Sequence, residues 1–437
     1  MVHPYLKRRQ GLEPIDYPYP PLKAVLERTC GVPLFQEQAM QVAVVAAGFT
    51  PGEADELRRA MGAWRKQGLI AAYKEKLISG MQANGIDVEY AERLFKQISG
   101  FGEYGFPESH AASFALITFV SCFLKRFYPA AFTCALINSQ PMGFYNVSSL
   151  IRDLINHGTE VLPVSINDSD WDCQLKGDNY SRAPLDELSE NWGKHGPALR
   201  LGMRQIRGLN KKTAEALMRA RLKQGRFKTI EEVVKCLRSE NAGPRLNRDL
   251  VLLAEADAFA ALGLDRRTAL WSIRGLAHDI PPLFAKLDDV ASKPSLPEMS
   301  EKQVMAADYN TTGLSLRGHP LSFKRTELAE NGVVTIEQLR DIPHGTKVRI
   351  AGYVLMRQRP ATAKGVMFFS LEDETDVANI VVWKDFLDAN RKVLLGERYL
   401  VVGGKLEKDG DVIHVISAEV WPIENMPTLK QKSRDFR

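Results

Sequence analysis

The sequence has little of what marks a secreted, membrane or zinc-binding protein. Its cysteines are odd in number, lie at least a dozen residues apart and form no C-x-x-C or Cys/His pair, which argues against a disulfide framework and structural zinc. They are Cys30, Cys122, Cys134, Cys173 and Cys236. The most apolar run, residues 111–124, is well short of a bilayer span, and no charged segment followed by an apolar stretch opens the chain. We therefore expect a cytoplasmic protein without a membrane partner.

Net charge is also small. The 437 residues include 58 basic and 53 acidic side chains, for a formal charge of +5. Any nucleic-acid surface must therefore come from local clusters of cations and not from a uniformly basic protein. A P-loop is absent, and Lys408-Asp409-Gly410 is one residue too short for the K-x-D-G motif of ligases. These absences argue against a helicase or ligase, and the lysine is assigned to a hairpin turn.

What the sequence does contain is several domains. A chain of this length is too long for one core, and a hydrophobic content of 45% is enough for roughly two to four. Helical patterns run from residue 36 to 157, with a capping box at Thr50-Pro51-Gly52-Glu53. A strand-like segment at 161–166 leads into a polar junction, and short helices broken by glycines follow from 199 to about 276.

The period changes toward the C-terminus. Residues 346–422 alternate or run apolar and β-branched in five segments, with a helical insertion at 384–395 after the third. This order is typical of an OB-fold β-barrel. The basic tail is predicted to be disordered. The fold class is therefore multidomain α+β, with helical domains followed by a C-terminal OB barrel.

A glycine-aromatic loop precedes one strongly apolar helix. Residues 100–126 read G-F-G-E-Y-G-F-P-E-S-H before a helix that is apolar almost all round. We expect a buried helix capped by serine. Its unpaired amide groups and positive dipole end would suit an anion, and the glycines would let a phosphate come close.

Residues 201–221 have the pattern of a helix-hairpin-helix. An apolar helix, a turn containing Gly208 and a second helix starting near Lys211 would contact a backbone phosphate, supported by Lys212. Asn210 replaces the usual second glycine, and asparagine enters left-handed geometry readily. The alternative is a plain αα-hairpin. A second copy at 246–271 has Asp257 where glycine is common, and we expect that copy to be structural.

The predicted barrel offers candidate contacts to a single-stranded nucleic acid. Alternation places Met367 and Phe369 on one face and Phe368 on the other, so Phe368 is a candidate stacking platform. Further candidates are Trp383, Arg357, Arg359 and Lys364. Each aromatic could instead belong to the core.

Two acidic clusters have the look of metal sites. Asp168-Ser169-Asp170 follows a strand, and Glu372-Asp373-Glu374 lies between two barrel strands. Paired carboxylates are the usual ligands of catalytic Mg²⁺ ions. We interpret both clusters as polar turns.

Several short segments resemble one known family. Pro33-Leu34-Phe35-Gln36-Glu37-Gln38, Leu57-Arg58-Arg59-Ala60-Met61 and G-Y-G-F-x-x-S-H ending at His110 resemble the fingers domain of bacterial C-family DNA polymerases, the DNA polymerase III alpha type. The segments N-S-Q-P-M-G-F-Y (138–145), S-D-W-D-C (169–173) and Q-R-P-A-T-A-K-G (358–365) are similar to its error-prone, damage-inducible branch.

The resemblance covers residues 1–425 and divides the chain. It implies the end of the palm or start of the fingers at 1–30, all-α fingers at 31–160, a junction at 161–198, a helix-hairpin-helix domain at 199–280, a linker and connecting segment at 281–343, the OB-fold at 344–424 and a tail at 425–437.

The resemblance also implies a nucleotide site in the fingers. Arg58, Arg59, Ser109 and His110 occupy family positions near the incoming nucleotide, and Arg65 shares a helix face with Arg58. Adjacent helical arginines point about 100° apart, so only one faces a given phosphate easily. The alternatives are a solvated arginine pair and a structural histidine. Ala63-Trp64 stands where replicative relatives carry lysines, which suits a looser grip.

The family's catalytic carboxylates lie in a palm that precedes the fingers, and this chain is expected to start after it. By resemblance, the whole enzyme extends primers past lesions with deoxynucleoside triphosphates and Mg²⁺, and the Mg²⁺ ligands lie outside this chain. Its partners are primer-template DNA, an accessory Y-family-like protein and the sliding clamp. We expect this chain alone to be inactive. The alternative is a non-catalytic DNA-binding or assembly subunit.

Overall fold

A computed structural model of the chain shows its architecture. It describes residues 2–63, 69–99, 107–142, 146–180, 191–276, 296–360, 363, 365–410, 412–427 and 434–436. The chain divides into two compact units, Met1–Phe123 and Leu124–Arg437. Among the described residues, no helix combines the length and apolar character that a membrane crossing requires.

The first unit is helical, as the sequence predicts. Its core packs aliphatic side chains such as Leu57, Leu77 and Ile98. A Cβ on Gly80 would lie 2.2 Å from the Ala47 carbonyl oxygen, so glycine is required where α5 approaches the end of α3. The helices are α1 (Val2–Arg9), α2 (Lys23–Leu26), α3 (Gln36–Ala47), α4 (Pro51–Ala63), α5 (Leu69–Ala83), α6 (Val88–Ser99) and α7 (Glu108–Phe127), the last of which runs into the second unit.

The predicted capping box at the start of α4 is confirmed. The Thr50 amide donates to Glu53 Oε2 at 2.9 Å, and the Glu53 amide donates to the Thr50 hydroxyl at 3.3 Å. Lys76 on α5 also donates to Glu53. The hydrogen bond from Lys76, together with those from Thr50, lowers the pKa of Glu53 to about 2.

Helix α7 differs from its prediction. It begins at Glu108, so Ser109 lies inside the first turn and is not the cap. The Glu108 amide instead donates to Glu37 Oε2 at 2.9 Å, and the Glu108 carboxylate pairs with Arg28 at 2.9 Å. The expectation of a buried helix is wrong, because no residue of this described helix is buried.

The second unit starts with helices around a small sheet. Strand β3 pairs in parallel with β1 and antiparallel with β2. Cys173, Leu199 and Leu217 are among the residues of the core that joins this sheet to the helices that follow. The elements are α8 (Pro129–Asn138), α9 (Val147–Asn156), β1 (Val161–Leu162), β2 (Gln174–Lys176), β3 (Ala198–Arg200), α10 (Lys211–Gln224), α11 (Ile230–Ser239), α12 (Leu246–Glu255), α13 (Arg266–Leu276), α14 (Glu301–Thr311) and α15 (Arg325–Glu330).

A closed five-stranded barrel follows, as predicted for an OB-fold. The strand order is β5-β6-β8-β7-β4, and an added β4–β5 pairing closes it. Burial alternates along β6 and at the start of β4, and Ile350, Ile380 and Leu400 of β7 are among the side chains of the barrel core. The elements are β4 (Lys347–Gln358), β5 (Met367–Glu372), β6 (Val377–Val382), α16 (Lys384–Ala389), α17 (Arg391–Gly396), β7 (Tyr399–Asp409) and β8 (Val412–Pro422).

The C-terminal tail departs from the expected disorder. Residues Arg434–Phe436 form strand β9, which pairs in parallel with the end of β4 from Met356 to Gln358. Apolar alternation does not signal this strand, because the tail is polar and basic. Its order rests on backbone pairing with an open edge of β4.

Candidate nucleotide and DNA interface

Arg58 and Arg59 lie on α4 and share one acidic neighbour. Arg58 Nη2 lies 2.9 Å from Asp55 Oδ1, and Arg59 Nη2 lies 2.7 Å from Asp55 Oδ2. The hydrogen bond from Arg58 lowers the pKa of the Asp55 carboxyl, with a further contribution from Arg59. The two arginine side chains remain 41% and 73% exposed. An incoming anion would therefore compete with Asp55, but it would find both guanidinium groups accessible.

Ser109 and His110 lie exposed in the first turn of α7. The His110 ring packs on Phe114 of the same helix, with ring centres 4.5 Å apart. Among the described residues, no hydrogen bond or ion pair joins Ser109 or His110 to Arg58 or Arg59. Arg65 and the glycine-aromatic loop at 100–106 lie outside the described residues. The structure thus places four of the five predicted nucleotide residues in the helical unit without bringing them into one contact group.

In the Gly208 turn the glycine is left-handed and Asn210 is not. Gly208 is left-handed, with φ of +82°, and exposed. Asn210 was expected to be left-handed, and this is wrong, because it is the N-cap of α10 with φ of −80°. Its side chain accepts from the Lys212 amide at 3.0 Å. The expected helix before the turn is a single 3-10 turn, Met203–Gln205.

Two lysines follow this turn on the exposed start of α10. Lys211 Nζ lies 3.7 Å from Glu215 Oε1 on the next turn of the helix. Lys212 is exposed, and within the described part of the chain no carboxylate pairs with it. The turn therefore combines an exposed left-handed glycine, a helix N-terminus and an exposed cation, which is a combination suited to a backbone phosphate.

The second hairpin is neutralised. Asp257 is left-handed, with φ of +61°, at the position where glycine is common. Its carboxylate pairs with Arg317 at 2.7 Å. A carboxylate at the turn repels phosphate, and its pairing with an arginine from another segment fits the structural role that the sequence predicts.

The cluster at Asp168-Ser169-Asp170 is held by arginines. Arg226 pairs with Asp168 at 2.5 Å, and Arg221 pairs with Asp170. Burial raises the pKa of Asp168, but hydrogen bonds from Arg226 and Ser165 outweigh it, so this pKa lies below its ordinary value. Ser169 donates to the Leu201 carbonyl oxygen at 2.7 Å. These contacts describe an acidic turn that joins two segments of the helical core.

The cluster at Glu372-Asp373-Glu374 is also committed to arginines. Arg152 pairs with Glu372, and Arg325 pairs with Asp373 at 3.2 Å and also with Glu374. Within the described residues, no group of three His, Cys, Asp or Glu side chains has the arrangement of a metal site.

Three of the predicted barrel contacts reach the surface. Strand β5 buries Phe369 and leaves Phe368 half-buried on its other face, so the predicted alternation is confirmed. Trp383 is 54% exposed just before α16, and Arg359 is exposed after β4. Lys364 lies outside the described residues.

Arg357 has a different place from the one expected. It is buried, and its guanidinium donates to the Leu394 carbonyl oxygen at 2.9 Å and the Glu397 carbonyl oxygen at 2.6 Å. It also lies over the Phe369 ring at 5.5 Å. Arg357 therefore ties α17 to the barrel, and its burial excludes it from an exposed DNA-binding surface.

Sequence reasoning missed two surface residues near these modules. Arg207, directly before Gly208, is exposed and has no carboxylate partner among the described residues. Its position directly before the turn glycine is the sequence signal that could have identified it. Trp421 lies near the end of β8 with 41% exposure, and the Arg349 guanidinium lies 5.4 Å from its ring centre. That pair becomes visible only when the barrel brings β4 and β8 to one side.

Three parts of the chain match known domain families. Residues 1–85 match the bacterial DNA polymerase III alpha subunit finger domain, residues 158–269 match the helix-hairpin-helix motif, and residues 348–423 match the OB-fold nucleic acid binding domain. A fingers module joined to two modules of these types defines a polymerase-related, nucleic-acid-binding protein.

Relatives cover the whole chain. It is 47% identical over 438 residues to the error-prone DNA polymerase of Alkalilimnicola ehrlichii, 45% over 444 residues to that of Methylococcus capsulatus and 47% over 478 residues to that of Caulobacter vibrioides. Each match covers 100% of this chain and 40%, 42% and 43% of the relative, respectively. Over its whole length the chain is therefore similar to part of these error-prone DNA polymerases, and it spans about two fifths of their length.

Proposed function

We propose that this chain is the C-terminal part of an error-prone DNA polymerase that acts in damage-induced translesion synthesis. Its fingers would contact the incoming deoxynucleoside triphosphate. Its helix-hairpin-helix and OB modules would bind the duplex and the single-stranded template. The observation that carries the DNA-binding role is the exposed, left-handed Gly208 turn followed by Lys212, a cation without a carboxylate partner among the described residues.

The nucleotide role rests on the exposed arginine pair of α4. Arg58 and Arg59 lie inside the segment that matches the fingers domain. Arginine binds phosphate oxygens through two parallel hydrogen bonds, and both guanidinium groups are accessible. In this proposal the triphosphate takes over the hydrogen bonds that now go to Asp55, with Arg65, Ser109 and His110 as further contacts.

Catalysis is proposed to require carboxylates from elsewhere in the enzyme. The acidic clusters at 168–170 and 372–374 are paired with arginines, so they are poor candidates for holding Mg²⁺. In the complete enzyme Mg²⁺ would be held outside this chain and would activate the primer hydroxyl and stabilise the leaving pyrophosphate. We propose that the chain alone does not extend primers, that it works in the cytoplasm, and that its partners include a Y-family-like accessory protein and the sliding clamp.

The DNA-binding role is tested by removing the turn lysines. The Lys211→Ala/Lys212→Ala variant is expected to bind fluorescent primer-template about tenfold more weakly and to lower the slope of log affinity against log salt by about one to two. Lys223→Ala is the control, because Lys223 lies at the other end of α10 and pairs with Glu240. Equal binding by wild type and the double variant, measured by anisotropy, would remove the carrying observation.

A non-catalytic DNA-binding or assembly subunit is the second candidate, favoured by the arginine-paired carboxylates. The two are separated by mixing the chain with a palm-containing fragment of a relative. Restored primer extension that is lost with Arg58→Ala/Arg59→Ala supports the polymerase. DNA binding without restored extension supports the subunit.

A further inference from the structure

A groove of about 850 Å³ opens beside the Gly208 turn. We call it the side groove. It is lined by residues 140–142 after α8, by residues 146–148 at the start of α9, by residues 204–209 of the turn, and by residues 312–313 after α14. Four separate segments thus converge beside the turn where the proposed function places a DNA backbone.

Arg207 brings an unpaired positive charge into the side groove. Its amide donates to the Thr311 carbonyl oxygen at 2.9 Å, which fixes its backbone against the end of α14. Its guanidinium lies over Gly313, where a Cβ would be only 2.5 Å from Nη2. Glycine therefore leaves room for this guanidinium. No carboxylate pairs with Arg207 in the described part of the chain.

Arg204 lines the same groove but is used differently. It donates to Asp172 Oδ1 at 2.6 Å and to the Asn138 carbonyl oxygen at 2.8 Å. Its charge is therefore compensated, and its position is fixed. Of these two arginines of the groove, Arg204 has an acidic partner, and Arg207 has none among the described residues.

Gln205 has a buried hydrogen-bond donor without a partner among the described residues. This residue lines the side groove and is only 6% exposed, yet its side-chain Nε2 has no hydrogen-bond partner among the described residues. A buried amide donor is almost always paired in a native protein, because leaving it unpaired costs its full desolvation. An acceptor oxygen that enters the groove would satisfy it.

The start of α9 also lines the side groove. Asn146 caps this ten-residue helix by accepting from the Ser149 amide at 2.6 Å. The amides of Val147 and Ser148 belong to the first turn, where no intrahelical acceptor exists, and the helix dipole is positive there. The groove thus combines an arginine, an unpaired amide donor and a helix N-terminus, all of which favour an anion with several acceptor oxygens.

We propose that the side groove binds a second backbone phosphate of the DNA strand whose neighbouring phosphate lies at the Gly208 turn. Arg207 and the Gln205 amide are its donors. This inference rests on the proposed DNA-binding function and extends the contact surface beyond the helix-hairpin-helix turn. It also accounts for an arginine and a glutamine that motif analysis leaves without a role.

Two variants of the full chain test the assignment. Arg207→Gln removes the charge and keeps a long polar side chain. Gln205→Glu keeps the shape and places a carboxylate where the phosphate would lie. We expect each to weaken binding of a fluorescent primer-template by about three- to tenfold, and Arg207→Gln to lower the salt slope by about one between roughly 50 and 200 mM salt.

Controls separate the groove from bulk charge and from the turn. Lys235→Gln removes one exposed positive charge from α11, outside both the turn and the groove, and sets the effect of charge alone. If Arg207→Gln matches Lys235→Gln while the Lys211→Ala/Lys212→Ala variant loses affinity, the groove assignment is wrong and the DNA-binding proposal stands. If the Lys211→Ala/Lys212→Ala variant binds normally and Arg207→Gln does not, the turn assignment fails and the groove remains.

The source of the phosphate is tested by competition. DNA with one neutral methylphosphonate link placed in turn along the strand should reproduce the Arg207→Gln loss at one position and show no further loss with that variant. Competition by inorganic phosphate or a deoxynucleoside triphosphate that disappears in Arg207→Gln, without any methylphosphonate effect, would instead identify a small-anion site and overturn the DNA-strand assignment. Unfolding of Gln205→Glu, seen by circular dichroism, leaves Arg207→Gln to decide.

Discussion

Arginine has two uses in the described residues, and its partners separate them. Arg357 and Arg221 donate to backbone oxygens or carboxylates and join distant segments. Arg207 and Arg59 keep accessible guanidinium groups, one unpaired among the described residues and one shared with Asp55. A charge whose hydrogen bonds are already made is costly to recruit for a ligand, because its partner would be left unpaired. The accessible arginines are therefore the better candidates for phosphate.

His319 is a residue whose protonation should limit stability. It is buried, its Nδ1 accepts from the Leu321 amide at 3.3 Å, and its Nε2 lies 3.6 Å from Glu372 Oε1. Burial, and then the charges of Arg152 and Arg325, lower the pKa of His319 to about 3. The folded protein thus holds it neutral at pH values where the unfolded chain binds a proton.

This difference predicts a loss of stability in mild acid. Because the unfolded histidine titrates near pH 6.5 and the native one near pH 3, its contribution is fully present above the unfolded pKa and is lost as pH falls. Between about pH 7 and pH 5, we expect the free energy of unfolding to drop by about 2 kcal/mol from this residue. Urea titrations at several pH values measure it.

His319→Gln provides the matched control. Glutamine keeps a donor near Glu372 but does not titrate. Between pH 7 and pH 5 the unfolding free energy of the variant should therefore fall by about 2 kcal/mol less than that of wild type. Parallel pH curves for the two proteins would mean that His319 is protonated in the native state or is exposed in solution.

At this scale the sequence predicts residue types better than their partners. The lysines beside the Gly208 turn could be found because turn glycine and helix start are local signals. The burial of Arg357 could not be predicted, because its acceptors are the carbonyl oxygens of Leu394 in α17 and of Glu397 just after it, about 40 residues further along the chain. Arg207 was missed for the complementary reason that its lack of a partner is a property of the fold.

Helix α7 leaves its large apolar side chains exposed. Phe114, Leu116 and Phe119 are 54%, 66% and 70% exposed on a helix with no buried residue. Contiguous apolar surface of this kind is unusual on a soluble monomer and marks an interaction surface or a cause of association. The sequence predicted its apolar character correctly and its burial wrongly, because periodicity reports that a surface is apolar but not whether this chain covers it.

Exposure of α7 predicts dye binding and self-association of the chain alone. Leu116→Ser/Phe119→Ser should lower the fluorescence of bound anilinonaphthalene sulfonate and shift sedimentation toward the monomer, with a change in unfolding free energy within about 0.5 kcal/mol for each exposed site. Leu222→Ser is the control, because Leu222 is 87% exposed and lies on a different helix, α10. Unchanged fluorescence in the double variant would show that α7 is covered in solution.

The strands were more predictable than the helix ends. Alternation of apolar and polar residues in the sequence predicts the barrel strands. Strand β5 accordingly buries Met367, Phe369 and Leu371, which are two residues apart. The helix expected before Gly208 is a 3-10 turn, since apolar spacing over so few residues does not distinguish a helix from a turn. Strand β9 had no pattern of its own and depends on its partner.

Within the second unit, a buried ionic network joins the barrel to the helical part. Arg152 of α9 pairs with Glu372 at the end of β5 and donates to the Asp373 carbonyl oxygen at 3.3 Å. Arg325 pairs with Asp373, whose Oδ2 also accepts from the Ile336 amide at 2.8 Å. Burial raises the pKa of Glu372 and Arg152 opposes that rise. The network thus fixes the β5–β6 hairpin of the barrel against α9.

Replacing only Arg152 should destabilise the second unit more than replacing both Arg152 and Glu372. Arg152→Met leaves Glu372 buried without its cation, so we expect a loss of about 3 to 5 kcal/mol in unfolding free energy, whereas Arg152→Met/Glu372→Met should recover most of it. Arg349→Met, which breaks the exposed pair with Glu419, should cost less than about 1 kcal/mol. Urea unfolding measures the three, and small-angle scattering reports whether the barrel moves away from α9. A single variant as stable and as compact as wild type would mean that apolar packing alone holds the barrel in place.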